Sequence, residues 1–102
     1  TLTVLVVEDE PVIGSLIETT LAGLGHKPML VRSGAEALET AEKARPDVVF
    51  MDIELEGGMD GIEAATLLRE RYSQQVVYLT GESDPRTVER AMTTEPFGYV
   101  VK

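Results

Sequence analysis

Residues 46–65 read PDVVFMDIELEGGMDGIEAA, and this stretch contains a strand, a loop and the start of a helix. The run from Val48 to Met51 is apolar throughout, as in a strand that is covered on both faces of a parallel sheet. Asp60 and Glu63 have the spacing of a capping box ahead of an apolar helical pattern. The stretch therefore predicts a buried strand followed by Asp52 and then a crossover into a helix.

The same alternation of short apolar runs and helical patterns extends over the whole chain. One run, from Lys27 to Val31, is weaker and is expected at a sheet edge, because Pro28 cannot donate a ladder hydrogen bond. The further predicted strands are Leu2 to Val7, Val76 to Leu79 and Gly98 to Val101.

Four helices are predicted between the strands. The first carries apolar residues three or four positions apart and stops before Gly25. Ser33 with Glu36 begins the second helix, and Asp60 with Glu63 begins the third. Asp84 is a cap ahead of the fourth, from about Pro85 to Thr93. The apolar stripe of the first helix consists of Val12, Ile13, Leu16, Ile17, Leu21 and Leu24.

Alternating strands and helices predict an α/β fold with helices on both faces of a parallel sheet. By analogy, the expected architecture is a flavodoxin-like, doubly wound five-stranded sheet in the order 2-1-3-4-5. A chain of 102 residues has room for one domain, which we assign to residues 1–102. In this order, strands one and three are neighbours at the ligand-binding edge.

Composition excludes several classes of function. The net charge of -9 opposes binding to nucleic acid or to an anionic membrane. The absence of cysteine excludes disulfides, thiolate zinc sites and thiol nucleophiles. No apolar run approaches the roughly 20 residues of a membrane-spanning helix, so the expected location is the cytoplasm.

Polar residues follow the strands where each apolar run ends. Glu8 and Asp9 follow the first run, Asp52 the third, Thr80 the fourth and Lys102 the fifth. Parallel strands end on one edge, so we expect these side chains to converge. Clustered carboxylates repel one another and need a cation, for which Mg²⁺ with its preference for oxygen ligands is the natural choice.

A carboxylate beside a cation, a hydroxyl and an ammonium has the parts needed for phosphoryl transfer, which depends on positioning and charge neutralisation. Asp52 is the expected nucleophile and would form an aspartyl phosphate. Thr80 would donate a hydrogen bond to the phosphoryl group, and Lys102 would act on it as a point charge. Each residue alone has a simpler interpretation as a turn or surface residue; the joint placement favours a site.

Four stretches, VLVVEDEP, PDVVFMDIELEGGMDGIEAA, VVYLTGES and EPFGYVVK, resemble the receiver domain of two-component response regulators, in the right order and over essentially the whole chain. The resemblance implies phosphotransfer from a sensor histidine kinase to Asp52. It also implies that Glu8, Asp9, Asp52 and the carbonyl of Glu54 hold Mg²⁺, and that Tyr99 changes rotamer together with Thr80.

The expected partners are a sensor histidine kinase or phosphotransfer protein and a downstream effector or output domain. A homodimer through the fourth helix and fifth strand is a further expectation.

The chain departs from the family pattern in two places. The loop after Asp52 is longer and contains Gly57 and Gly58, and the fifth helix that follows the lysine is absent, which would expose one face of strands one and five.

Three other functions remain open on sequence grounds. A magnesium-dependent phosphatase would usually carry a second aspartate where Glu54 stands. A receiver-like docking module would not use phosphate at all. Flavin binding is disfavoured by the acidic loop after the first strand. The leading hypothesis is a regulatory domain, not an enzyme, that catalyses only its own phosphorylation and dephosphorylation, with Glu54 and Glu82 influencing attack by water.

Overall fold

The structure of the chain is a computed structural model that describes residues 1–55, 58–81, 85–94 and 96–101. For Pro85, Val88, Tyr99 and Val101 the description covers the main chain alone. Strands and helices alternate in the order β1 (Thr3–Val7), α1 (Pro11–Gly23), β2 (Lys27–Val31), α2 (Gly34–Ala44), β3 (Val48–Asp52), α3 (Gly61–Tyr72), β4 (Val76–Thr80), α4 (Pro85–Met92) and β5 (Gly98–Val101).

All strand pairs are parallel, and the sheet order is β2-β1-β3-β4-β5. The predicted flavodoxin-like architecture and strand order are confirmed, and β2 with Pro28 lies at an edge as expected. Two strands are one residue longer than predicted, since Asp52 pairs with Leu79 and Thr80 pairs with Val101. Both polar residues therefore end their strands. β1 begins one residue later than predicted, at Thr3, and α4 ends one residue earlier, at Met92.

The core lies on both faces of the sheet. On one face, α2, α3 and Ala91 of α4 pack against alternate residues of the central strands, such as Leu5, Met51 and Tyr78. On the other face, a smaller cluster joins α1 to residues of β1 and β3, among them Val6 and Phe50. Alternate strand residues face opposite sides, so the nearly continuous apolar runs follow from coverage on both faces.

The predicted capping residues begin α2 and α3. The Ser33 hydroxyl oxygen accepts a hydrogen bond from the Glu36 amide at 3.2 Å, and the Asp60 carboxylate accepts one from the Glu63 amide at 2.9 Å. Each satisfies an amide that the first helical turn leaves without a partner. The predicted cap Asp84 lies outside the described residues.

Helix α1 differs from its predicted stripe. Val12, Leu16 and Leu24 are 80%, 66% and 69% exposed, whereas Leu21 is buried and Ile17 packs against the smaller cluster. The buried side of α1 is narrower than predicted, because a helix packed on one sheet face buries one side only. The predicted stop of α1 before Gly25 is confirmed: Gly25 has φ +89°, and the His26 amide donates a hydrogen bond to the Leu21 carbonyl at 3.0 Å.

The predicted exposure of one sheet face on strands one and five is found only in part: Val4 and Val6 of β1 are buried, whereas Val100 of β5 is 48% exposed. An apolar groove of about 410 Å³ lies beside α1. Within the described part of the chain, no helix combines the length and the apolar character that crossing a membrane requires. The groove is lined by the apolar residues Leu2, Val4, Leu21, Val48, Phe50, Val77 and Phe97 and by the polar residues His26, Asp47 and Gln75.

Candidate metal centre

The register of β1 and β3 places two acidic residues side by side. Val7 is paired with Met51, so Glu8 and Asp52 occupy the next positions of neighbouring parallel strands. Glu8 continues the alternation of Val4 and Val6, which lie in the smaller cluster with Phe50, and Asp52 continues that of Phe50. Both acidic side chains are therefore directed toward the same face of the sheet, at its carboxyl edge.

Glu8, Asp9 and Asp52 form a compact acidic cluster. One carboxylate oxygen from each residue lies within 4.8 Å of the others. Glu8 and Asp52 are 1% and 2% exposed, and Asp9 is half-buried. At an effective dielectric constant of about 20, two unit charges at this separation repel by roughly 3 kcal/mol. Hard oxygen ligands in this arrangement could share one divalent cation, which would relieve that repulsion.

Main-chain amides shape the loops around the cluster. The Glu54 amide donates to Asp52 Oδ1 at 3.0 Å, and the Glu10 amide donates to Glu8 Oε1 at 3.3 Å. The Glu8 amide in turn donates to the Val31 carbonyl at 3.1 Å, which joins the end of β1 to β2. These bonds fix two of the three carboxylates to the main chain. The side chain of Glu54 is exposed, and its carbonyl as a metal ligand stays a prediction.

Thr80 is buried at the end of β4, with 1% exposure. The pairing of Asp52 with Leu79, and the hydrogen bond from the Ile53 amide to the Leu79 carbonyl at 3.1 Å, place Thr80 next to the end of β3. Tyr99 lies on β5 opposite Tyr78, but the position of its side chain is not part of the description. The predicted roles of Lys102 and Glu82 fall on residues outside the described part of the chain.

Gly61, the first residue of α3, supports the site in a way that sequence reasoning missed. A Cβ atom at this position would overlap the Asp52 carbonyl oxygen and would lie 2.8 Å from its carbonyl carbon. The Gly61 amide also donates to the Ile53 carbonyl at 3.2 Å. The start of α3 thus rests directly on the main chain that carries Asp52. The Asp-Gly pair was visible in the sequence, but nothing there indicated which carbonyl the glycine faces.

A second unpredicted feature is an ion pair between α4 and the N-cap of α3. Arg90 donates from one guanidinium nitrogen to Asp60 Oδ2 at 2.9 Å and from the other to Oδ1 at 3.4 Å. Burial alone would raise the pKa of Asp60, but hydrogen bonds from the Glu63 amide and Arg90, with the charge of Arg90, lower that pKa below its usual value. Asp60 also raises the pKa of Arg90 above its usual value through this hydrogen bond.

The family described as "Response regulator receiver domain" matches residues 4–102. The DNA-binding response regulator MtrA of Mycolicibacterium smegmatis is 31% identical over 99 residues, which cover 97% of this chain and 43% of that protein. The transcriptional regulatory protein AfsQ1 of Streptomyces coelicolor is 30% identical over 96% of this chain and 43% of its own length. The chain thus spans less than half the length of these relatives.

Solved structures agree with the sequence comparison. The signal receiver domain of a modulated diguanylate cyclase from Desulfovibrio desulfuricans superposes with a TM-score of 0.93 at 34% identity, over 99% of this chain and 81% of that one. The BeF3-activated receiver domain of RstA from Klebsiella pneumoniae gives a TM-score of 0.88 at 29% identity, over 98% and 85%. By fold and by sequence, the chain belongs to the response regulator receiver domains of two-component phosphorelay signalling.

Proposed function

We propose that this chain is a phosphoacceptor domain in which Asp52 receives a phosphoryl group from a phosphohistidine of a sensor histidine kinase or phosphotransfer protein. The observation that carries the proposal is the convergence of the Glu8, Asp9 and Asp52 carboxylate oxygens within 4.8 Å at the carboxyl edge of the sheet. Membership of the receiver family supports a regulatory role. The domain would catalyse only its own phosphorylation and dephosphorylation.

The proposed reaction transfers the phosphoryl group between two side chains. A carboxylate oxygen of Asp52 attacks phosphorus, the new O–P bond forms, and the P–N bond to the donor imidazole breaks. The imidazole keeps the electron pair of that bond and takes up a proton. No general base is needed, because an aspartate carboxylate is ionised at neutral pH. The signal ends by hydrolysis: water attacks phosphorus and the O–P bond to Asp52 breaks. Inorganic phosphate is released, and the Asp52 carboxylate is restored.

We assign Glu8, Asp9, Asp52 and the Glu54 carbonyl as the groups that would hold Mg²⁺. The donor set fits this ion, since magnesium favours oxygen ligands and is usually bound through one or two carboxylates together with phosphoryl oxygens. When bound, Mg²⁺ would neutralise charge on the phosphoryl oxygens. The protein would hold the Asp52 carboxylate in place through the Glu54 amide and the packing of Gly61.

Thr80 and Lys102 are proposed to bind the phosphoryl group, Thr80 by donating a hydrogen bond and Lys102 as a cation. Thr80 is buried beside the end of β3, so its movement toward Asp52 would leave space behind it. Tyr99 on β5 is proposed to respond to that space. The result would be a population shift of the surface formed by α4 and β5.

We also propose which partners contact the surface formed by α4 and β5. Met92 on α4 is 46% exposed, and it offers an apolar contact to an effector, an output domain or a second copy of the chain. MtrA and AfsQ1 bear names of DNA-binding or transcriptional regulators, so an output domain of that class is one proposed partner. A cytoplasmic location follows from a kinase donor, because kinases draw on intracellular ATP.

The phosphoacceptor is tested by mass spectrometry of the intact chain after incubation with acetyl phosphate and Mg²⁺. The parent is expected to gain one phosphoryl group, and Asp52→Asn is expected to gain none. Asp47→Asn is the matched control, because Asp47 is exposed just before the opposite end of β3 and should not affect labelling. Equal labelling of the parent and Asp52→Asn would contradict the assignment.

The metal assignment has its own measurement. Asp9→Asn removes the charge of one carboxylate from the cluster, and the Kd for Mg²⁺ measured by titration calorimetry is expected to rise by at least about tenfold. Asp47→Asn again serves as the control for the loss of a distant acidic charge. An unchanged Kd in Asp9→Asn would remove Asp9 from the proposed ligand set.

A further inference from the structure

The Asp60 carboxylate performs two tasks at once. It caps α3 by accepting a hydrogen bond from the Glu63 amide at 2.9 Å, and it accepts two hydrogen bonds from the guanidinium of Arg90, at 2.9 and 3.4 Å. A planar guanidinium that binds both oxygens of a carboxylate fixes its orientation as well as its charge. Arg90 therefore holds the residue on which the first turn of α3 depends.

The first turn of α3 lies against the main chain of the phosphoacceptor. Gly61 packs so closely on the Asp52 carbonyl that it leaves no space for a side chain, and its amide donates to the Ile53 carbonyl at 3.2 Å. A shift of Asp60 is thereby transmitted through one peptide unit to the segment that carries Asp52. Two contacts thus join α4 to the main chain of Asp52: Arg90 with Asp60, and Gly61 with the Asp52 carbonyl.

Helices α3 and α4 are not closely packed where the ion pair joins them. A groove of about 430 Å³ opens between α3 and the end of α4, lined by Ile62 and Thr66 of α3, Arg90 of α4 and Thr93 just after α4. The guanidinium of Arg90 reaches from α4 to Asp60, the residue that caps α3. The separation of the two helices is thus set in part by a charge-assisted contact, which works over a short range.

We infer that Arg90 is a positioning residue for the acidic site: through Asp60 it holds the start of α3 against the Asp52 main chain and so preorganises Asp52 for Mg²⁺ and for phosphorylation. This inference deepens the proposed function and rests on it for the phosphorylation step. Loss of preorganisation weakens binding because the site must then be ordered at the moment of binding.

The direction in which Mg²⁺ affinity changes on removal of Arg90 distinguishes positioning from a purely electrostatic effect of its charge. Arg90 is a cation, so its removal by itself makes the surroundings more negative and would strengthen the binding of Mg²⁺. Positioning predicts the opposite result for Arg90→Gln. Asp60→Asn, which retains a good capping side chain, should also weaken Mg²⁺ binding. Loss of its negative charge acts in the same direction, so the sign observed for Arg90→Gln is the one that separates the two effects.

The experiment measures two quantities on the full chain at about 50 mM salt: the Kd for Mg²⁺ by titration calorimetry, and the initial rate of labelling by acetyl phosphate. We expect Arg90→Gln and Asp60→Asn each to weaken Mg²⁺ binding and slow labelling by roughly two- to fivefold, which is the range of a half-exposed ion pair. Arg90→Lys should restore part of the effect, since lysine keeps the charge without the planar fork.

Two controls complete the design. Arg71→Gln removes an exposed cation from α3 and should leave both quantities at the parent values or slightly strengthen Mg²⁺ binding. At about 1 M salt, where the screening length falls to about 3 Å, the difference between the parent and Arg90→Gln should shrink. The double variant with Asp60→Asn should be no weaker than either single variant, because both remove the same contact.

Clear results would overturn the inference. Arg90→Gln with unchanged or stronger Mg²⁺ binding at low salt would show that Arg90 acts through its field or not at all, and an equal loss in Arg71→Gln would show a nonspecific charge effect. If the parent binds Mg²⁺ but is not labelled, the proposed function fails; weaker Mg²⁺ binding in Arg90→Gln would still support the positioning role.

Discussion

Gly61→Ala is expected to destabilise the domain strongly, although alanine is the better helix former. The added Cβ would overlap the Asp52 carbonyl oxygen and lie 2.8 and 2.9 Å from the Asp52 carbonyl carbon and the Ile53 Cα. Carbon atoms normally approach to about 3.5–4.0 Å, so the main chain must move by roughly 1 Å. Such overpacking costs about 1–3 kcal/mol.

Two further contributions adjust that cost. Displacement of α3 weakens the hydrogen bond from the Gly61 amide to the Ile53 carbonyl, which contributes about 1 kcal/mol. Replacement of glycine by alanine in a helix returns about 0.5–1 kcal/mol. The net expectation is a loss of about 2 kcal/mol in the free energy of unfolding, or a fall in Tm of about 10 °C for a domain of this size.

Urea denaturation monitored by circular dichroism measures this loss, and Gly23→Ala is the matched control. Gly23 is the last residue of α1, and a Cβ there would meet nothing within 4 Å, so the same substitution should stabilise the domain by a few tenths of a kcal/mol up to about 1 kcal/mol. A Gly61→Ala protein as stable as the parent would show that α3 does not rest tightly on the Asp52 carbonyl and would refute this reasoning.

Three further predictions concern stability. Tyr78→Phe removes the 2.8 Å hydrogen bond between the Tyr78 and Thr94 hydroxyls and should cost about 0.5–1.5 kcal/mol in urea denaturation; no loss would mean that the bond contributes nothing net. Ser33→Ala removes the cap of α2 and should cost about 1 kcal/mol by the same assay, whereas an unchanged midpoint would assign no energy to the cap. Because the pKa of Asp60 is lowered in the folded state, its stabilising contribution is present above the unfolded pKa, near 4, and is lost as the pH falls through the folded pKa. Arg90→Gln should therefore be less stable than the parent at neutral pH by about 0.2–1 kcal/mol. In thermal melts at successively lower pH the two proteins should become equally stable, and a constant difference would contradict the linkage.

Much of the fold followed from local patterns. Apolar runs such as Val48 to Met51 indicated buried parallel strands, and the spacings of Ser33 with Glu36 and of Asp60 with Glu63 located the starts of two helices. These signals are readable because strand burial and helix capping depend on residues close together in the chain. The width of the α1 stripe was wrong because burial depends on what packs against the helix, which the helix itself does not encode.

The residue types at the carboxyl ends of the strands, and with them the prediction of an acidic site, are readable from the amino-acid order alone. Three features emerge only from the folded chain: Glu8 and Asp52 lie in adjacent register, Gly61 packs on the Asp52 carbonyl, and Arg90 reaches Asp60. Strand ends are marked by local changes in hydrophobicity. Contacts between residues 30 positions apart depend instead on how whole helices are placed on the sheet, which no local pattern specifies.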